Sequence, residues 1–164
     1  MNTDSIAKEK TMYKKNTKEL EEMLEKTHPS SIPEFVEMNR DEILSDDRDF
    51  MKYMNEKLKE KKLRKQDVLL NADISQGYGY KLLTEEKVTK QRDVILRICY
   101  AAQFTLAEVQ QALKIYHMET LYARDARDAL LMTCFNDRPG SILDLNELLA
   151  ANNMKPLRSS GLQD

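Results

Sequence analysis

Glycine and proline are scarce in this sequence. It has four glycines and four prolines among 164 residues, whereas an ordinary globular protein of this length carries roughly 20 of the two together. β-Sandwiches and β-barrels need many turn residues, so this composition argues against them. The shortage of turn residues therefore predicts an all-α fold.

The sequence also lacks any long apolar run. A membrane-spanning helix needs about 20 consecutive apolar residues, and no segment approaches that length. The N-terminal residues mix Asp4, Lys8, Glu9 and Lys10 without an apolar core, so they do not have the pattern of a secretory signal. We therefore expect a cytoplasmic protein that does not associate with membranes.

Cysteine is limited to Cys99 and Cys134. Both lie within apolar segments, and they have no C-x-x-C spacing. This placement favours reduced, buried thiols over a disulfide or a zinc site.

Signatures of catalysis are missing as well. Glu25 and His28 have the spacing of one half of a di-iron motif, but the second half is absent and Pro29 follows directly. His117 has no nucleophile paired with it by a recognisable motif, and there is no phosphate-binding loop. The sequence predicts neither an enzyme nor a bound metal or cofactor.

Charge is distributed unevenly along the chain. Residues 1–48 hold 8 basic and 12 acidic side chains, residues 49–92 hold 11 and 7, and residues 93–164 hold 7 and 9. A basic segment inside an acidic protein is typical of a polyanion-binding module, because Lys and Arg displace counterions from phosphates. Alternatively, the basic cluster between residues 57 and 65 only keeps two amphipathic helices soluble.

Hydrophobic spacing and capping residues divide the chain into five segments. These are a disordered N-terminus (1–16), an N-terminal helical extension (17–48), a five-helix domain (49–118), a C-terminal helical extension (119–157) and a loose tail (158–164). In the N-terminal extension, one helix follows Thr17 and ends at His28-Pro29. Ser31 and Glu34 predict a capping box that starts a second helix, and residues 41–47 form a connector.

The central domain is predicted to contain five helices. In order they are a helix from Asp49 with an apolar stripe at Phe50, Met54 and Leu58, a short helix over 65–72, a helix over 76–83, a helix capped by Thr89, and a helix that starts at a capping box of Thr105 and Glu108. Residues 73–75 form the turn between the second and third helices, with Ser75 as its capping residue.

The C-terminal extension contains two further amphipathic helices. The first covers residues 124–135, where Arg124-Asp125 and Arg127-Asp128 are interpreted as helix-capping ion pairs. The second starts at the capping pair Ser141 and Asp144. No internal repeat is present, which argues against a solenoid.

Gly77 and Gly79 stand at the start of the third of the five helices. A glycine within a helix costs about 1 kcal/mol relative to alanine, so a pair indicates close backbone approach or an irregular first turn. A dinucleotide-binding fingerprint would need glycine in place of Leu82 and a strand before Ser75, and both are missing. A helix-turn-helix, whose second helix enters the major groove of DNA, is the better interpretation.

Over roughly residues 50–113 the order and spacing of the helices resembles the Xre/Cro family of phage-repressor-like regulators. The resemblance rests on the turn Asp73-Ile74-Ser75, the recognition helix at 76–83, and Lys87-Val88-Thr89 leading into an apolar helix. Residues 121–128 are similar to the C-terminal extension of small Firmicute-type members. The resemblance implies a five-helix, repressor-like helix-turn-helix unit flanked by N- and C-terminal helices.

The chain departs from the family pattern in three places. Asp73 replaces the usual glycine of the turn, although aspartate enters left-handed conformations more readily than most residues. Lys65 replaces a frequent glutamine, and it can still contact a phosphate. The recognition helix has Lys81 as its one cation and is followed by Glu85 and Glu86, so its local charge is mixed.

The resemblance implies a DNA-binding surface on the second and third helices and the loop after them. Gln76 is expected to pair with adenine, Tyr80 to reach phosphate or sugar, and the lysines to contact phosphates. Tyr78 belongs equally well to the core, and the lysines could be ordinary surface charge. The expected contact residues are Lys65, Gln66, Gln76, Gly77, Tyr78, Tyr80, Lys81, Lys87 and Lys90.

The resulting hypothesis is a transcriptional regulator that binds specific double-stranded DNA as a homodimer. Its dimer interface is expected on the C-terminal helices, at residues 126–135 and 142–151. The alternative is a helical adaptor or antitoxin-like partner protein that has the same fold but does not read DNA. A DNA reader should be basic around Lys65, Lys81 and Lys87, whereas an adaptor should expose an apolar patch.

Overall fold

The computed structural model describes residues 15–43 and 49–158. The chain divides into two compact units, with the boundary between Asp47 and Arg48. Within the described ranges every regular element is a helix, which confirms the all-α prediction. None of these helices has both the length and the apolar character of a membrane span. The predictions of disorder for 1–16 and 158–164, and of a connector up to 47, fall largely outside the described residues.

In residues 15–43 the first unit contains two short α-helices, α1 (Thr17–Glu25) and α2 (Ile32–Met38), each followed by a 3-10 turn. The capping box predicted for Ser31 is wrong, because its side chain makes no capping hydrogen bond. Ser31 already belongs to the 3-10 turn Pro29–Ser31, and its backbone lacks the extended conformation that a capping residue needs. His28 starts that turn instead, with its ring nitrogen accepting a hydrogen bond from the Ser30 N–H.

The second unit contains seven helices in its described residues. They are α3 (Asp49–Glu60), α4 (Lys65–Asn71), α5 (Gln76–Leu83), α6 (Arg92–Ala101), α7 (Leu106–Ile115), α8 (Ala126–Asp137) and α9 (Ile142–Ala151). The central element is α6, which packs against α4, α7 and α9. Its residues from Val94 to Tyr100 are all buried, as is the Cys134 thiol of α8. Burial raises the pKa of the Cys99 and Cys134 thiols, which disfavours the nucleophilic thiolate form.

The structure confirms some predicted helix starts and corrects others. Thr105 and Ser141 each form the predicted capping box, which starts α7 and α9. Ser75 makes no side-chain capping bond, so that prediction is wrong. The prediction that Thr89 caps α6 is also wrong. Its hydroxyl accepts a hydrogen bond from the Gln91 N–H, and α6 begins only at Arg92.

Five helices of the second unit end in the same way without glycine. After the last helical turn, one residue adopts a left-handed conformation, and the N–H of the next, apolar residue bonds back to the helix. The left-handed residues are Lys62, Asp73, Gln103, His117 and Asn153. This helix ending explains how a helical chain with so little glycine makes its turns, because polar side chains occupy positions that usually favour glycine.

A reciprocal pair of salt bridges joins the starts of α6 and α8. Arg92 binds both carboxylate oxygens of Asp128, at 3.1 and 2.6 Å. Arg127 binds both oxygens of Asp93, at 3.1 and 3.0 Å. Asp125 does cap α8, but the interpretation of Arg127-Asp128 as a local capping pair is wrong. These two residues hold helices together across more than 30 positions of sequence.

Candidate nucleic-acid interface

The helices α4 and α5 are joined by a tight turn at Ala72–Ser75 and pack directly against each other. Asp73 has φ of 55°, in the left-handed region. Gly79 is buried, and a Cβ at that position would lie 2.4 Å from Leu69 Cδ2. Because Leu69 is itself fully buried, its side chain has little room to move away. Gly79 therefore sets the close packing of α5 on α4.

Gly77 has a different environment from Gly79. Apart from its chain neighbours and the backbone of its own helix, no atom lies within 4 Å of the place where its Cβ would be, and the residue is exposed in the first turn of α5. The backbone of α5 is therefore open to a ligand at this point. The close backbone approach predicted for the glycine pair therefore occurs within the protein at Gly79. Gly77 instead leaves an accessible gap at the surface of the helix.

The outward face of α5 consists of Gln76, Gly77, Tyr80 and Lys81. All four are exposed, and at 100° per residue they form one continuous stripe. At the same spacing the buried Leu82 lies on the opposite side of this helix. This outward face carries an amide, a gap, a phenol and an ammonium group in close succession.

The first turns of α4 and α5 are in contact. The Gln76 side-chain amide donates to the backbone carbonyl of Gln66, at 3.1 Å. Both glutamines are exposed, so the structure brings together two of the expected contact residues from different helices. The side-chain amide of Gln76 keeps its second N–H and its carbonyl oxygen for another partner.

The expected cationic residues lie at the surface to differing degrees. Lys81, Lys87 and Lys90 are exposed, and Lys65 is half-buried. Lys87 Nζ lies 5.9 Å from the centroid of the Tyr78 ring, within range of a cation–π contact. Tyr78 is itself half-buried. The loop after α5 is thus connected to the helix through this pair.

Part of the lysine cluster in α3 has a structural role. Lys57 Nζ lies 3.2 Å from Glu60 and 3.3 Å from Glu108, with only 6% of its side chain exposed. Lys61 Nζ lies 2.8 Å from the other oxygen of Glu108. Glu108 also takes part in the capping box of α7. Three charged groups therefore fasten α3 to the start of α7.

The charged groups in this network shift each other's pKa values. Burial by itself would lower the pKa of Lys57, but hydrogen bonds and charge from Glu60 and Glu108 outweigh it, and the pKa is raised. Burial would raise the pKa of Glu108, but Lys61, the Thr105 N–H and Lys57 lower it below its ordinary value. Lys57 and Lys61 are therefore occupied and do not contribute to a phosphate-binding surface.

Two apolar residues of this region are exposed, which the sequence pattern did not predict. Leu70, in the last turn of α4, is 70% exposed, and Val88, in the loop after α5, is 74% exposed. Burial of large apolar side chains is the usual outcome in a helical core, so exposure at two positions near α5 adds apolar contact surface. The periodicity of α4 could have indicated Leu70, since it lies one turn after the exposed Gln66.

Comparison of the chain with protein-family models, with curated proteins and with solved structures found no match.

Proposed function

We propose that this protein is a sequence-specific DNA-binding regulator of transcription in the cytoplasm, of the Xre/Cro type. In this proposal α4, the turn and α5 act as a helix-turn-helix, and α5 enters the major groove. The observation that supports it most is the outward face of α5, where an exposed amide and an exposed lysine flank the gap at Gly77. Such a face lets the helix backbone approach base edges closely.

Each residue of this surface has a distinct role in the proposal. Gln76 reads adenine through its amide, and its bond to the Gln66 carbonyl fixes the orientation of that amide. Tyr80 contacts the sugar-phosphate backbone through its hydroxyl. Gly77 admits the duplex, and Tyr78 holds Lys87 in place.

The lysines supply affinity without sequence preference. The proposed phosphate contacts are Lys65, Lys81, Lys87 and Lys90. Each phosphate contact contributes about −0.9 to the slope of log affinity against log salt, so four contacts predict a slope of about −3 to −4 for each bound protomer and about −7 for a homodimer on two half-sites. Lys57 and Lys61 are already paired with Glu108 and are not counted among these contacts.

The proposal includes a homodimer, because one recognition helix makes few base contacts and regulators of this kind read two half-sites about one helical turn apart. Many apolar side chains of α8 and α9 are buried in the core of the second unit, including Leu131, Leu145 and Leu149. The exposed residues Leu143 and Leu148 of α9 remain for a partner copy. A monomeric mass at micromolar concentration, with and without DNA, would contradict the dimer.

The test of DNA reading begins with a binding selection against random duplex DNA, followed by titration of variants on the enriched site. Gln76→Ala should weaken binding to that site by about 1–3 kcal/mol and leave binding to random DNA nearly unchanged. Lys81→Ala should weaken both and reduce the salt slope by about 1 for each bound protomer. Lys18→Ala in the first unit removes the same charge elsewhere and serves as the matched control.

Gly77 provides an independent variant for the same assay. Gly77→Leu fills the gap in the outward face and should abolish binding to the enriched site, while thermal stability stays the same or rises. No enriched motif, together with affinities at the non-specific level of roughly 10⁻⁴–10⁻⁶ M at physiological salt, would reject the proposal.

A second candidate function is a helical adaptor or antitoxin-like partner protein. Exposed apolar side chains in the first unit favour it: Met38 is 77% exposed, and Leu24, Ile32 and Val36 are about 40% exposed. This function predicts a co-purifying protein that is lost on Met38→Asp and retained on Gln76→Ala and Lys81→Ala. The DNA-binding proposal predicts that Gln76→Ala and Lys81→Ala weaken DNA binding and that Met38→Asp does not.

A further inference from the structure

Arg97 is a buried cation in the middle of α6, with 4% of the residue exposed. Its guanidinium donates to three backbone carbonyls: Nη1 to Ala72 at 3.2 Å, Nη2 to Leu157 at 2.7 Å and Nε to Arg158 at 2.8 Å. Ala72 is the C-cap residue of α4 and directly precedes the left-handed Asp73. One side chain thus joins the turn before α5 to a segment more than 80 positions later in sequence.

That segment, residues 155–158, is here named the C-terminal strap. Arg127 holds the carbonyls of Lys155 and Pro156, and Arg97 holds those of Leu157 and Arg158. In addition, the Leu157 N–H donates to Asn146 Oδ1 at 2.7 Å, and the Arg158 N–H donates to Asp93 at 2.9 Å. The strap is therefore fixed by side chains of α6, α8 and α9.

The physical reason for burying a charge here lies in the end of α4. The last carbonyls of a helix carry partial negative charge, and a cation placed against them is stabilised. Burial lowers the pKa of Arg97, whereas the charges of Asp73 and Asp93 raise it. The turn residue Asp73 therefore also acts electrostatically on the same cation.

We propose that Arg97 is a positioning residue that fixes the turn at Ala72–Ser75, and with it the outward face of α5, to the C-terminal strap. Displacement of the strap then loosens the start of α5. For its effect on DNA this inference rests on the proposed function, but its effect on the turn does not.

Arg138 provides a matched control for Arg97. Arg138 caps the end of α6 as Arg97 caps the end of α4: its guanidinium donates to the Tyr100 carbonyl at 2.9 Å and to the Phe104 carbonyl. The two turns also share one backbone pattern, in which the residue after the left-handed position is buried. A specific effect of Arg97 must therefore appear at its own turn and not at the other.

The experiment is amide hydrogen exchange on the full chain. In Arg97→Met, exchange at Asp73 and Ile74 should accelerate at least about tenfold more than exchange at Gln103 and Phe104. In Arg138→Met the preference should reverse. Equal acceleration at both turns in Arg97→Met would mean that Arg97 contributes only global stability, and it would overturn the inference.

Two milder variants guard against a failure to fold. Asn146→Ala removes the acceptor for the Leu157 N–H without touching Arg97 or the turn. It should still accelerate exchange at Asp73 and Ile74, by about threefold or more relative to Gln103 and Phe104. Arg97→Lys retains the charge and should recover part of the protection. No effect of Asn146→Ala on the turn would show that the strap does not act on it.

A DNA titration of the same proteins separates this inference from the proposed function. If both hold, Asn146→Ala and Arg97→Met lower affinity for the selected site at unchanged salt slope, because no phosphate contact is lost. If the wild-type chain binds no duplex while the exchange pattern is as expected, the proposed function fails and the positioning role stands. Weakened DNA binding without a change in exchange at the turn would instead reject the positioning role.

Discussion

The turn after α4 and the turn after α6 share one backbone pattern but lead into helices with different environments. In each, the N–H of an apolar residue returns to the helix: Ile74 to the Leu69 carbonyl at 3.0 Å, and Phe104 to the Cys99 carbonyl at 3.1 Å. The first turn of α7 is then covered by a complete capping box and by Lys61. The first turn of α5 has no side-chain cap, and its outward side is exposed.

This difference shows that the same local turn can start a structural helix or a surface helix. The residues that follow decide which, because charged groups from α3 reach Glu108 at the start of α7. At the start of α5, Gln76 contacts the Gln66 carbonyl, and the space where a Gly77 side chain would lie is open. Substitutions in these two turns and in the helices that follow them test this difference.

The largest effect is expected when the fourth residue of α5 is made like that of α7. Val109 fills this position in α7 and is fully buried, whereas Gly79 leaves no room for a Cβ beside Leu69. Gly79→Val should lower the free energy of unfolding by about 3 kcal/mol or more, because overpacking a closed core forces side chains and backbone to move. Urea denaturation measures it.

The neighbouring glycine provides the control for this variant. Gly77→Ala should raise stability by about 0.5–1 kcal/mol, since its position is open and alanine favours the helix. Adding Leu69→Ala to Gly79→Ala should recover part of the loss caused by Gly79→Ala. Similar effects at the two glycines would show that α4 and α5 do not pack as closely as described.

The next effect concerns the charges that cover the start of α7. Glu108→Gln keeps a capping side chain but leaves Lys57 and Lys61 with less negative charge, so it should cost about 1–3 kcal/mol at neutral pH. The folded-state pKa of Glu108 is below its ordinary value. Its contribution is therefore complete above the ordinary pKa and is lost as the pH falls through the folded one.

Unfolding of wild type and Glu108→Gln across the acid range measures this contribution. The two stability curves should converge as the pH falls below the folded pKa of Glu108. Glu147→Gln, an exposed site on α9, should differ little from wild type throughout. If the difference in free energy of unfolding between wild type and Glu108→Gln stayed constant to below the folded-state pKa of Glu108, the ion-pair role would be contradicted.

A smaller effect distinguishes the two capping positions themselves. Thr105→Ala should cost about 1 kcal/mol, because the hydroxyl accepts from the Glu108 N–H. Ser75→Ala should cost less than about 0.5 kcal/mol, because Ser75 makes no capping bond. Thermal unfolding of both variants gives the comparison, and an equal loss would mean that α5 is capped after all.

The smallest effect concerns the left-handed residues. Gln103→Gly should stabilise the protein by about 0.5–1 kcal/mol, because glycine adopts a positive φ without steric cost. Asp73→Gly should gain less, since it also removes a charge that acts on Arg97. Chemical denaturation of both variants tests this order, and a loss at Gln103→Gly would contradict it.

Sequence reasoning recovered the helices well because their signals are local. The scarcity of glycine and proline predicted the all-α fold, and the capping pairs of Thr105 and Ser141 marked two helix starts. It placed Thr89 wrongly, since a threonine hydroxyl can bond to the backbone two residues later as readily as it can cap a helix. For the candidate site, it identified the exposed Gln76 and Lys81 but could not tell the roles of Gly77 and Gly79 apart.

The sequence by itself determined where helices form, because apolar periodicity and capping act within three or four residues. Only the tertiary structure decided which charges are structural. Lys61 meets Glu108 across 47 positions, and Arg97 meets the Leu157 carbonyl across 60. Nothing in the local pattern of a basic residue states which distant element will pack against it. Burial and pairing therefore emerge only when the helices assemble, and they separate the lysines that hold the fold from those left at the surface.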